Sequence, residues 1–144
     1  MKEAKKVVRA GRWIKGLKGN VVGEAVVVNQ PIHFMRDVDE ATGIIDADGH
    51  SGFGKSIANK IAVFPTAPGG VGSAWRIVTL SKNGVAPKAI LNNVTNPVIV
   101  QGCILANIPV LDKFNTDILS LIEDGDQVNI NNENGIVEIT KSKK

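Results

Sequence analysis

This sequence has a single cysteine, no tyrosine and no long apolar run. The single thiol, Cys103, forms no internal disulfide and by itself holds neither zinc nor an iron–sulfur cluster. That usage points to a reducing compartment. No run of about 18 apolar residues occurs, which argues against a membrane-spanning helix. The basic N-terminus is followed by Gly11, Lys15, Gly16, Lys18 and Gly19, so no apolar signal core is present. A soluble, cytoplasmic protein is the expectation. Histidine is scarce as well. His33 and His50 have no Cys, Asp or Glu at metal-ligand spacing, and no metal site is expected. Asp37, Asp39, Glu40, Asp46 and Asp48 form an acidic stretch that lacks the order of a calcium loop and reads as a solvated turn.

The net charge of +3 suggests a nucleic-acid partner until its distribution is read. Seven of the 17 basic residues (Lys2, Lys5, Lys6, Arg9, Lys141, Lys143 and Lys144) lie at the ends, opposed there only by Glu3, one of 14 acidic residues. Residues 10–140 are therefore slightly acidic, and solvated Lys-rich tails around an ordered core are the expectation. Neither a nucleic acid nor a membrane is an expected partner. The 144 residues suffice for one domain with one core, and 43% hydrophobic residues exclude disorder. With two Trp and four Phe but abundant Val, Ile and Gly, that core should be aliphatic and strand-rich.

Val21–Val28 is β-branched and reads as a partly buried strand with a kink or bulge at Gly23. A long turn-rich stretch follows, relieved by Ile44-Ile45. Ile61–Phe64, Ala89–Leu91 and Ile108–Leu111 read as buried strands. Between the first two, Trp75, Ile77 and Val78 recur at helical spacing, with Asn83-Gly84 as a stop. Between the last two, Asn96 and Pro97 open a helix to Ala106, with Gly102 on a packed face. This alternation predicts an α/β fold, a small parallel sheet with crossover helices. A short helix over Thr116–Ile122, capped by Asn115 or Thr116, and a hairpin of Asp126–Ile130 with Ile136–Thr140 would supply, with the first strand, antiparallel β-rich ends.

Two glycine-rich segments could carry chemistry. Gly49–Ser56, GHSGFGKS, matches the phosphate-loop pattern letter for letter. That chemistry needs a buried strand entering and a full helix leaving, so that backbone N–H groups face the phosphates. Here DEATGIIDAD precedes and only SIANK follows, so the match reads as coincidence. The other segment, Pro68–Trp75, lies between a strand and a helix. Gly69, Gly70 and Gly72 allow close backbone approach, and the helix start favours an anion. Ser73 stands where its hydroxyl caps the helix or faces a substrate. Cys103, in an apolar helix beside Ile104 and Leu105, reads as a buried, inert thiol.

Several segments together resemble one family. GEAVVV (23–28), QPIHF (30–34), VDEATGIID (38–46), Gly54-Lys55-Ser56, IAVFP (61–65), GGVGSAW (69–75), NGVAPKAIL (83–91), NPVIVQGCILANIPVLD (96–112) and GDQVNI (125–130) stand in the order of the aconitase-X swivel domain, the small subunit of aconitase-X hydro-lyases. The resemblance covers most of residues 20–130. It implies a single swivelling β/β/α domain over 1–144, with its ordered core in about 10–140, and a large catalytic subunit carrying the iron–sulfur cluster. It also implies dehydration of a hydroxy acid, 5-phosphomevalonate or cis-3-hydroxy-L-proline or a related one, with this chain inactive alone. A serine of the swivel domain acts as base in such chemistry. Many members read Gly-Ser-Ser or Gly-Ser-Thr where this chain reads Gly69-Gly70-Val71, so the expected base position is Gly70. Ser73 becomes the candidate catalytic residue, with Gly69, Gly70, Val71 and Gly72 as the substrate-binding turn and no metal ligand. Two other readings compete: a non-catalytic swivelling carrier module, which would need a histidine at the helix start where Ser73 stands, and a nucleotide-binding protein built on GHSGFGKS.

Overall fold

The structure, a computed structural model, describes residues 5–142. Along the chain run β1 (Lys5–Arg9), β2 (Arg12–Trp13), β3 (Asn20–Val27), α1 (Phe34–Asp37), β4 (Ile61–Val63), α2 (Val71–Lys82), β5 (Ala89–Leu91), α3 (Pro97–Leu105), β6 (Val110–Asp112), β7 (Gln127–Asn131) and β8 (Ile136–Thr140). The strands join in the order β1-β8-β7-β3-β4-β5-β6-β2. From β3 to β6 the neighbours are parallel, whereas β7 on β3, β8 on β7, β1 on β8 and β2 on β6 are antiparallel.

Period-two alternation divides the parallel strands between two cores. Val26, Ala62, Phe64, Ile90 and Val110 face the helices, meeting Ile77 and Leu80 of α2 and Ile99 and Cys103 of α3. Ala25, Ile61, Val63, Ala89, Leu91 and Leu111 face the opposite way, onto Val128, Ile130, Val137 and Ile139 of the β7–β8 hairpin. Short strands buried on both faces have no polar side, which is why they read as continuous apolar runs. The layers are β, β and α, as the family resemblance implies. β3 belongs to two of them: Asn20–Glu24 pair with β7, and Ala25–Val27 with β4. Each fully buried Ile or Leu contributes about 2 kcal/mol of transfer free energy, so an aliphatic core suffices without many aromatics. The one close aromatic pair, Phe34 with Phe64, meets edge-on at 6.0 Å and pins α1 beneath the end of β4.

Some sequence-based expectations change. α2 begins at Val71, inside the glycine-rich segment, and packs through Ser73, Ile77 and Leu80, which turns Trp75 outward at 58% exposure. Residues 116–122 hold no α-helix. A single 3-10 turn, Ile118–Ser120, is capped by Asp117, whose carboxylate accepts from Leu119 N–H, while Asn93 accepts from Ile118 N–H and so ends the need for further helical bonding. Lys5–Arg9, expected within a solvated tail, is the edge strand β1, its register running from Lys5 opposite Thr140 to Arg9 opposite Ile136. Its lysines suit an edge exposed to water. Lys2, Glu3, Lys143 and Lys144 lie outside the described residues. At Gly23 the ladder to β7 continues unbroken opposite Val128. No helix among the described residues is long and apolar enough to cross a membrane.

Candidate functional site

The carboxyl ends of β3, β4 and β5 open onto one edge of the sheet, where α/β folds place their ligands. Residues 28–33, 64–70 and 92–96 line it. The glycine-rich turn is held there by two devices. Gly69 adopts φ +119°, a conformation that side chains disfavour, and the Asn96 amide that caps α3 donates to Ala67 O and Gly69 O at 3.0 Å each. Gly70 is the N-cap of α2 and offers no side-chain acceptor. The N–H groups of Val71 and Gly72 find no acceptor among the described residues, so this turn can receive an anion in the way expected for a helix start.

Ser73 does not cap α2. It lies in the helix's first turn, 1% exposed, facing α1. Its Oγ accepts the Met35 N–H at 3.2 Å and stands 3.4 Å from His33 Nδ1. Oγ can accept the Met35 N–H and still donate its own proton to Nδ1, provided that nitrogen is unprotonated. His33 is in turn the N-cap of α1, with Nδ1 accepting from Arg36 N–H at 3.2 Å, and the His33 backbone N–H donates to Asp37 Oδ2 at 2.8 Å.

Beside this pair is a polar cavity of about 410 Å³ lined by His33, Arg36, Asp37, Asp48, His50 and Pro68 among others. His50 forms its back wall. Its Nε2–H donates to Pro31 O at 2.9 Å while Nδ1 accepts from Gly52 N–H at 2.9 Å, a pattern only the neutral ring satisfies. Met35, Val71 and Trp75 stand exposed around the turn. The four predicted turn residues, Gly69, Gly70, Val71 and Gly72, are thus contiguous with Ser73 at this edge. His33 and Arg36 are the pocket residues that sequence reasoning passed over, since nothing local to QPIHF indicates contact with a serine 40 residues away.

The phosphate-loop look-alike is elsewhere. No helix follows Ser56, which makes an isolated bridge to Ile44, and Lys55 Nζ donates to Val27 O at 2.7 Å and to Asp124 at 2.8 Å rather than to an open loop. Cys103 is fully buried, and burial pushes its thiol up to about 12. Among the described residues no group of three His, Cys, Asp or Glu side chains is placed to hold a metal ion. The residues present therefore do not fit an iron–sulfur cluster.

A family model described as the aconitase X swivel domain matches residues 11–139. The chain belongs to the aconitase X swivel domain family. It is 38% identical over 133 residues to the phosphomevalonate dehydratase small subunit of Methanosarcina acetivorans, covering 92% of this chain and 91% of that one. With the corresponding subunit of Archaeoglobus fulgidus it shares 36% over 122 residues, 85% of this chain and 92% of the other. The crystal structure of Thermococcus kodakaraensis aconitase X in its holo form superposes with a TM-score of 0.83 at 31% identity, over 94% of this chain and 99% of that one. The family resemblance and the β/β/α fold are both established by these matches. Within the swivel fold, the Gly69–Ser73 turn and the His33 pocket lie together at the carboxyl ends of the parallel strands.

Proposed function

We propose that this chain is the small subunit of a hydro-lyase that dehydrates a hydroxy acid at a site completed by a large subunit. The observation that carries the reading is an ordered turn with free N–H groups beside a polar pocket, in a chain that aligns over 92% of its length with a dehydratase small subunit. The iron–sulfur cluster belongs to the large subunit in this reading. Phosphomevalonate, which the curated relatives act on by name, is the first substrate to test, with cis-3-hydroxy-L-proline as the second. Ser73 is the hydroxyl that this chain brings to the proton chemistry, since Gly70 has no side chain. A base that removes a proton beside a carboxylate needs its developing charge met by fixed donors, and Met35 N–H already points at Oγ. In the described state Oγ is enclosed, so it acts either after the Gly69-Gly70 backbone shifts or through the imidazole it touches.

Co-expression with the large subunit tests the reading. The complex should dehydrate 5-phosphomevalonate, and the separated small chain should be colourless, iron-free and inactive. Ser73→Ala and Ser73→Gly in the complex should each lower kcat at least about a hundredfold, as loss of general-base assistance does. A large subunit fully active without this chain would overturn the assignment. Near-normal turnover in both variants would remove Ser73 from the proton chemistry.

A further inference from the structure

Ser73 and His33 come from opposite sides of the turn, and their hydrogen bonds leave the imidazole one free nitrogen. Nδ1 is approached by two donors, the Arg36 N–H at 3.2 Å and the Ser73 hydroxyl at 3.4 Å. The Arg36 N–H, shared between the His33 carbonyl at 3.0 Å and Nδ1, can only donate, so this contact favours Nδ1 as the unprotonated nitrogen, with the ring proton on Nε2. Nε2 has no partner among the described residues, and it is not among the polar atoms sealed from water. Its ring lines the polar cavity, half-buried, whereas Ser73 is closed off behind it. Gly69 leaves the approach open: a Cβ there would lie 3.2 Å from Nε2 and crowd it.

We infer that His33 is the substrate-facing donor of this half-site: Ser73 and the Arg36 N–H hold its Nδ1, and Nε2–H donates to an oxygen of the bound hydroxy acid. The inference rests on the hydro-lyase reading above and adds a residue and a role to it. Ser73 is then a positioning residue that acts through the imidazole. A neutral imidazole fixed in one tautomer suits this task, because it supplies a directed proton donor without a counter-charge. The cavity wall carries one cation, Arg36, and two carboxylates, Asp37 and Asp48, so it offers no net positive field and recognition there falls to directed hydrogen bonds.

Two measurements test it. In the first, the full chain labelled with ¹⁵N-histidine is studied at pH 8 by long-range ¹H–¹⁵N correlation. Only two imidazoles contribute, and His33→Asn assigns them. His50 is the internal reference for an Nε2–H ring. The expected result is Nε2–H at His33, and an Nδ1–H tautomer overturns the inference. In the second, the assembled complex is assayed with 5-phosphomevalonate. His33→Asn preserves the α1 cap, because asparagine is a favoured N-cap, but it removes the nitrogen that reaches the cavity. Its Tm should match the wild type while kcat/KM falls at least about tenfold, as for a lost hydrogen bond to a charged group. Normal kcat/KM in His33→Asn, with a hundredfold loss in Ser73→Ala, would overturn this inference and leave the Ser73 reading standing. Normal kinetics in both variants would overturn both. Should the complex not act on 5-phosphomevalonate, that substrate assignment fails, and the tautomer still decides the pairing.

Discussion

Gly69 and Gly70 are adjacent in the same turn, yet they tolerate change very differently. A Cβ at Gly69 would lie 2.3 Å from Ser73 Oγ, at a φ of +119° that L-residues disfavour. Gly69→Ala should therefore cost about 1–3 kcal/mol and push the hydroxyl off Met35 N–H. At Gly70 a Cβ meets nothing within 4 Å, and φ is −114°. Gly70→Ser should fold with unchanged or slightly higher stability, since serine is a good N-cap. Urea midpoints of the two variants check this, and equal losses would refute the contrast. The same geometry explains how a hydroxyl is absent from position 70 without harm to the fold: the turn is shaped by Gly69 and Asn96.

Contact between α2 and α3 depends on one absent side chain. At Gly102 a Cβ would stand 2.7 Å from Ala74 O and 3.0 Å from Ala74 Cα, backbone atoms that cannot rotate away. Gly102→Ala should separate the two helices and cost about 1–3 kcal/mol, seen as a lower Tm without loss of helical circular dichroism. Gly102 and the Asn96-Pro97 start of α3 were legible in the sequence because cap chemistry and small-residue faces are local signals. The buried strands were legible for the same reason, as short apolar runs stopped by Pro65, Asn92 or Asp112. α2's true start was not, since PGGVGS has the composition of a loop and only the packing of Ser73 under α1 extends the helix into it. β1 was hidden because KKVVR carries too little apolar character to suggest a strand without its partner β8. Of the candidate site, the turn could be read and the His33–Ser73 pair could not: the meeting of α1 with α2 is a tertiary event that no spacing encodes.

Three carboxylates fasten the molecule at separate places. Asp112 takes a bidentate pair from Arg12 and two bonds from Thr95, tying β2 and the β5–α3 loop to β6. Asp124 holds Lys55 and Val27 N–H, and Asp126 holds Lys141, Glu123 N–H and Ser142 N–H. Burial works against each charge, but the cations and N–H donors prevail and hold all three below the usual carboxylate range. A lowered folded pKa means stability that is present above the unfolded value, about 4, and lost as pH falls through the folded one. Tm should be level from pH 7 to 5 and fall below about pH 4, with the fall shallower in Asp112→Asn; a Tm unchanged at pH 3 would contradict this. The pairing of the antiparallel layer has a temporal consequence. Strands β4 to β6 and their crossover helices are close in sequence, but Asn20 waits for Asn131 and Lys5 for Thr140. While the ribosome has yet to release residues 127–140, Ile61, Val63, Leu91 and Leu111 remain uncovered, and the nascent chain displays an apolar sheet face to chaperones and to its neighbours.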